Sequence, residues 1–224
     1  MAKSSRENNN FAGSFSKISG KKSVVRRFWN FLWYDDSWLS ILAFLVVSSI
    51  FIRFIAYPVL GVFLGSSQPI VAVISSSMVH STNNFDDWWN SSLCKEKFSD
   101  KYNFQKDFYS SFNISKEDFE NFNLKNGFSK GDVMVLASPK NIKVGDVIVA
   151  DNGGVTPYPV IHRVIKIGVD SVTTNGDNNH CEIWYFEENI SRDKIIGRAW
   201  LWIPYIGWVK VGAVWLLSVI GGVF

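Results

Sequence analysis

The chain has 224 residues, 47% hydrophobic, 16% aromatic and 19% charged, too apolar for a disordered tail and about the size of one domain plus a membrane anchor. With 3 His and 2 Cys it can build neither a Cys-rich metal framework nor a disulfide-stapled miniprotein, and no metal or cofactor is expected. The net charge of +3 hides an asymmetry, because residues 1–34 carry +6 and the remainder −3.

The basic stretch 1–36 runs directly into an apolar one, so a lipid bilayer explains it better than nucleic acid. Ser37–Leu64 holds 28 residues with a single charge, Arg53. A helix of that length reaches ~42 Å at ~1.5 Å per residue, enough to cross a ~30 Å hydrocarbon core. Arg53 near its middle costs roughly 2.5–3.5 kcal/mol, which Leu42, Phe44, Leu45, Val46, Val47, Ile50, Phe51 and Ile52 can offset. The expectation is a transmembrane helix over 37–64, with a buried core hairpin broken at Pro58 as the alternative. Lys and Arg before it and a weakly acidic chain after it put the basic tail in the cytoplasm and the rest outside. On that side Cys94 and Cys181 can pair or stay free, and Asn90, Asn113 and Asn189 head Asn-x-Ser sequons.

Residues 65–210 read as the extracytoplasmic body. Ile70–Ile74 is a short β-branched run and a candidate strand. Residues 81–130 turn polar and Phe-rich, with a helix start at Ser115-Lys116-Glu117-Asp118, and read as an inserted cap or lid that the chemistry can do without. Strand-like runs resume at Asp132–Leu136, Asp146–Ala150, Val160–Ile167, Val172–Thr174 and Ile195–Leu201. Gly131-Asp132-Val133 recurs as Gly145-Asp146-Val147, and no helical pattern alternates with the strands. The fold class is therefore mainly β and antiparallel, with an N-terminal membrane helix and a partly helical insertion. Val211–Phe224 is uncharged and reads as an interfacial segment or a second span.

Few residues can do chemistry here. His162 lies in Pro159-Val160-Ile161-His162-Arg163-Val164, where Val160, His162 and Val164 share a strand face, so it is a rigidly held candidate base or a half-buried core histidine. Ser75-Ser76-Ser77-Met78 follows the first candidate strand, and a serine there needs a neighbouring base to act as nucleophile; most such clusters are turns. Asn175-Gly176-Asp177-Asn178-Asn179 is a turn by composition whose Asp could orient an imidazole.

Taken in order, the membrane helix, Ser77-Met78, the Gly-Asp-Val strands, Val160-Ile161-His162-Arg163-Val164 and Gly176-Asp177-Asn178-Asn179 resemble type I signal peptidase, in its archaeal and endoplasmic-reticulum branch with a Ser-His pair. The resemblance runs from about residue 36 to 210. It implies a membrane-bound serine endopeptidase that removes signal peptides from translocated preproteins after small residues. Ser77 would be nucleophile, His162 general base, and Ser75 with the Ser77 amide the oxyanion hole. Asp177, or after it Glu182, would be the acid on His162. His80, where the family has a different turn, adds a second imidazole near Ser77. The implied partners are preprotein signal peptides, the bilayer and the translocation machinery, at the cell membrane of an archaeon. The competing class is a catalytically silent membrane-anchored β domain that binds partners.

Overall fold

The computed structural model of the chain describes residues 24–82 and 84–206; the first part of the basic tail and the apolar segment 211–224 lie outside the described residues. The described residues divide into two compact units, with the boundary between Ile55 and Ala56.

In the first unit, α1 (Val24–Tyr34) is followed by α2 (Trp38–Phe51), whose first turn is capped by Ser37 accepting from the Ser40 amide at 3.3 Å. The helical run passes through a π turn, Ile52–Ala56, into α3 (Tyr57–Leu64) and ends at Gly65 with φ 66°. Pro58 does not break it: the π turn Ile52–Ala56 immediately before it takes up the irregularity, and the helix runs on through Pro58 to Leu64. Among the described residues Trp38–Leu64, 27 residues long, is the one helix long and apolar enough to cross a membrane. Leu42, Ile50, Phe51 and Phe54 are exposed along it, so among the described residues no protein core forms around this helix, which argues against the core-hairpin alternative.

The second unit is built on one sheet of seven strands, β1 (Ile70–Ala72), β2 (Val133–Ala137), β3 (Val147–Ala150), β4 (Val160–Ile167), β5 (Ser171–Asn175), β6 (Ile190–Ser191) and β7 (Ile195–Ile203). Their spatial order is β1-β2-β7-β3-β4-β5-β6 and every neighbouring pair is antiparallel. Strand alternation divides the core. Val147 and Val149 pack with Met78, Phe128, Leu136 and Ile161, whereas Ile148 and Ala150 pack with Val164, Val172, Ile190 and Ile195.

The repeated Gly-Asp pair is one turn used twice. Gly131 and Gly145 take φ 92° and 91°, a region that disfavours side chains. Asp132 and Asp146 each accept the backbone N–H three residues back, Ser129 and Lys143, both at 2.8 Å, and so close the turns that launch β2 and β3. Gly145 has a second reason to lack a side chain, since a Cβ there would stand 2.2 Å from the Phe122 ring.

The expected insertion, residues 81–130, is structured and partly helical over its described residues. It carries α4 (Phe85–Ser91), α5 (Gln105–Ser110) and α6 (Lys116–Glu120), the last with Ser115 and Asp118 exchanging cap hydrogen bonds as the sequence suggests. Trp88, Trp89, Phe108, Tyr109 and Phe119 make its core and pack on Ile165 of β4 and on Cys181. A disulfide joins Cys94 in the insertion to Cys181 beyond β5. Each buried aromatic contributes about 2–3 kcal/mol relative to exposure, so the insertion brings its own reason to stay folded on the sheet.

Gly145→Ala is expected to lower stability by about 2 kcal/mol, read as a drop in thermal midpoint of the detergent-solubilised chain, because strain at positive φ adds to the clash with Phe122. An unchanged midpoint would contradict the turn assignment.

Candidate active site

Ser77 and His162 are 85 positions apart in sequence and meet in the fold, His162 Nε2 lying 2.9 Å from Ser77 Oγ. Ser77 sits in a turn, closed by the Val79 N–H on the Ser76 carbonyl at 3.2 Å, between two paired stretches: Val73 donates to Asp132 and accepts from Gly131, while beyond the turn Phe128 donates to the Met78 carbonyl at 3.0 Å and Val79 bridges Gly127. His162 lies on β4 opposite Ile148 and is 6% exposed. Ser77 is half-buried, so one member of the pair faces a partly open side and the other is walled in. Ser75 Oγ is 3.1 Å from Ser77 Oγ, so the two hydroxyls stand within hydrogen-bond distance of each other.

The acid that meets His162 is neither carboxylate that the resemblance implies. Glu187, fully buried, places Oε1 on His162 Nδ1, while its Oε2 accepts the Trp184 amide at 3.0 Å and its backbone carbonyl accepts Thr174 of β5 at 3.0 Å. Serine, imidazole and carboxylate thus stand in line, with the carboxylate on the nitrogen remote from the serine. That arrangement fixes a tautomer with a proton on Nδ1 and a lone pair on Nε2 aimed at the hydroxyl.

Asp177 does not touch His162. It binds Arg163, the next residue of β4, which points to the opposite face of the strand from His162. Arg163 Nη2 and Nε lie 2.7 and 2.9 Å from the Asp177 carboxylate, and its remaining donors reach the carbonyls of Asn123, Leu124 and Gly145. Phe119 covers the guanidinium at 4.6 Å. The Asp177 carboxylate also accepts from Tyr109 Oη and bonds His80 Nε2, both at 3.0 Å. Burial pushes the Asp177 carboxyl up, but the Arg163 charge and the bonds from His80 and Arg163 outweigh it and bring it to about 2. Burial, reinforced by Asp177, holds the Tyr109 hydroxyl well above its ordinary value, so it remains a donor. His80 is stacked on Trp88, rings 3.7 Å apart and 5° from parallel; it serves this network and does not meet Ser77.

Glu182 is spent elsewhere. Hydrogen bonds from the Lys95 and Lys97 ammonium groups hold its carboxyl below its ordinary value. Glu187 escapes spacing arguments because it lies ten positions beyond Asp177 in Trp184-Tyr185-Phe186-Glu187-Glu188, where only its setting between aromatic residues and a buried isoleucine hints at burial. Tyr109, Trp88 and Phe119 all come from the insertion, which therefore packs directly on the Arg163–Asp177 network.

No family model matches the chain. It is 31% identical over 94 residues to the signal peptidase complex catalytic subunit sec11 of Dictyostelium discoideum, covering 38% of this chain and 52% of that relative. It is 28% identical over 99 residues to the signal peptidase complex catalytic subunit SEC11C of Homo sapiens, covering 39% and 51% respectively. The chain thus spans about half the length of the curated relatives it matches, and it resembles signal peptidase catalytic subunits of the endoplasmic-reticulum type.

Asp177 has a depressed folded value, so its share of stability is present above the ordinary 3.8 and is lost as pH falls toward about 2. The shift corresponds to about 2 kcal/mol. Wild type is expected to lose midpoint between those pH values more steeply than Asp177→Asn, which starts about 3 kcal/mol less stable at pH 7 because Arg163 is left buried and unpaired. Parallel pH profiles of thermal midpoint would contradict this role.

Proposed function

We propose that the chain is a membrane-anchored serine endopeptidase that cuts signal peptides from translocated preproteins. The observation that carries the reading is the 2.9 Å approach of Ser77 Oγ to His162 Nε2, backed by the Glu187 carboxylate on Nδ1. Similarity to signal peptidase catalytic subunits supplies the substrate class.

In this mechanism Ser77 Oγ attacks the scissile carbonyl while His162 Nε2 takes its proton. Glu187 stabilises the imidazolium and keeps the ring aimed at the serine. The carbonyl oxygen, now negative, is received by the Ser77 backbone N–H and the Ser75 hydroxyl. Collapse of the intermediate breaks the peptide bond, and His162 gives its proton to the departing amine of the mature protein. Water, deprotonated by the same imidazole, then hydrolyses the signal-peptide ester. A residue with a small side chain at the cut would fit beside a β surface where bulk is rejected sterically.

The bilayer is the partner of Trp38–Leu64 in this reading, with the basic tail cytoplasmic and the catalytic unit outside. The Cys94–Cys181 disulfide supports that side assignment, since such bridges persist in oxidising compartments. Preproteins would arrive from the translocation machinery.

The test is cleavage of a preprotein by the detergent-solubilised full chain. Wild type is expected to release the mature protein at a small-residue site, Ser77→Ala to show no cleavage, and His162→Ala to lose about a thousandfold or more in kcat at an unchanged thermal midpoint. Equal cleavage by wild type and Ser77→Ala would overturn the nucleophile, and a folded wild type that cuts no preprotein would overturn the function.

A further inference from the structure

The turn from Gly176 to Glu182 grips the serine segment directly. Asn178 donates its backbone N–H to the Ser77 carbonyl at 2.7 Å and its side-chain amide to the Ser76 carbonyl at 3.1 Å. The Asp177 N–H points at Met78 Sδ, 3.4 Å away. A Cβ on Gly176 would stand 2.8 Å from the Ser77 carbonyl oxygen, so the two backbones are packed as closely as glycine permits. The position of the Ser77 hydroxyl against His162 therefore depends on where this turn stands.

The far end of the turn is fastened to the insertion. Cys181 is bonded to Cys94, the Lys95 amide donates to the His180 carbonyl at 3.1 Å, and His180 Nδ1 meets the Leu93 carbonyl at 3.0 Å. Lys95 and Lys97 grasp Glu182, whose carbonyl accepts the Asn175 side chain at 2.6 Å. His180 and Cys181 are consecutive residues in left-handed conformation, φ 52° and 69°, which residues other than glycine adopt only when their surroundings hold them. The bridge, the lysine pair and the Leu93 segment supply that hold.

We propose that Asn178 is a positioning residue for Ser77, and that the Cys94–Cys181 bridge keeps the turn carrying it in register with His162. The inference rests on Ser77 being the nucleophile. It makes the insertion a buttress: a β unit without residues 81–130 would lose the anchor of the turn on which its serine leans.

Asn178→Asp keeps the side-chain size but presents an acceptor to the Ser76 carbonyl. In the detergent-solubilised full chain acting on a preprotein it is expected to lower kcat about tenfold or more with KM within about twofold. Cys94→Ser/Cys181→Ser should lower kcat too, and the combined variant should lose less than the product of the two effects, since both act on one turn. Hydrogen exchange of the 73–80 peptide should quicken in both variants while β4 keeps its protection. Wild-type kcat in Asn178→Asp, losses that multiply, or unchanged exchange at 73–80 would each overturn the inference. A Ser77→Ala chain that still cleaves would show instead that the nucleophile is wrong, and the exchange of 73–80 would still decide whether the turn holds the segment.

Discussion

The Arg163–Asp177 ion pair is the joint on which the site depends. Both groups are fully buried, and two charges withdrawn from water are repaid only when every donor and lone pair finds a partner. Here the guanidinium spends itself on Asp177 and three backbone carbonyls, and the carboxylate on Arg163, Tyr109 and His80. One pair thereby ties β4, the turn after β5, the loop entering β3 and the insertion to a common point. Because side chains alternate along a strand, pinning Arg163 to one face of β4 sends its neighbour His162 to the other. The orientation of the imidazole is thus set by a contact it does not make.

The same turn that supplies Asp177 supports Ser77 through Asn178, and the strand before it, β5, donates the Thr174 N–H to the Glu187 carbonyl. Serine, imidazole and carboxylate are therefore carried by three segments that all border β5 or its turn. Register does much of this work: Arg163 stands opposite Asn175, so the chain leaves β5 already beside the arginine and needs only two more residues to bring Asp177 to it.

Much of the fold was legible because its causes are local. Val160–Ile167 is dense in β-branched residues, Ser115 is followed three positions later by an acid, and the Gly-Asp pairs mark turns; each of these forms where the sequence puts it. Of the six main strands none was misplaced by more than two residues at either end, and β6 was missed because two residues carry no period. The site was legible only as far as its motifs reach. Ser77 and His162 come together, while the resemblance pointed to Asp177 or Glu182 for an acid that tertiary packing draws from Glu187. Glu182 is diverted because the disulfide at Cys181 brings it under Lys95 and Lys97, a consequence of pairing across 87 positions that no local pattern encodes. The Trp and Phe content of the insertion was the sign of its core.

The most direct test of this account compares kcat/KM for preprotein cleavage in Glu187→Gln, Glu182→Gln and Asp177→Asn, each corrected for folded fraction. If Glu187 orients His162, Glu187→Gln falls at least about a hundredfold and stands well below the other two, which lose activity mainly as they lose structure. A Glu187→Gln chain as active as wild type, or one surpassed in its loss by folded Asp177→Asn, would contradict it.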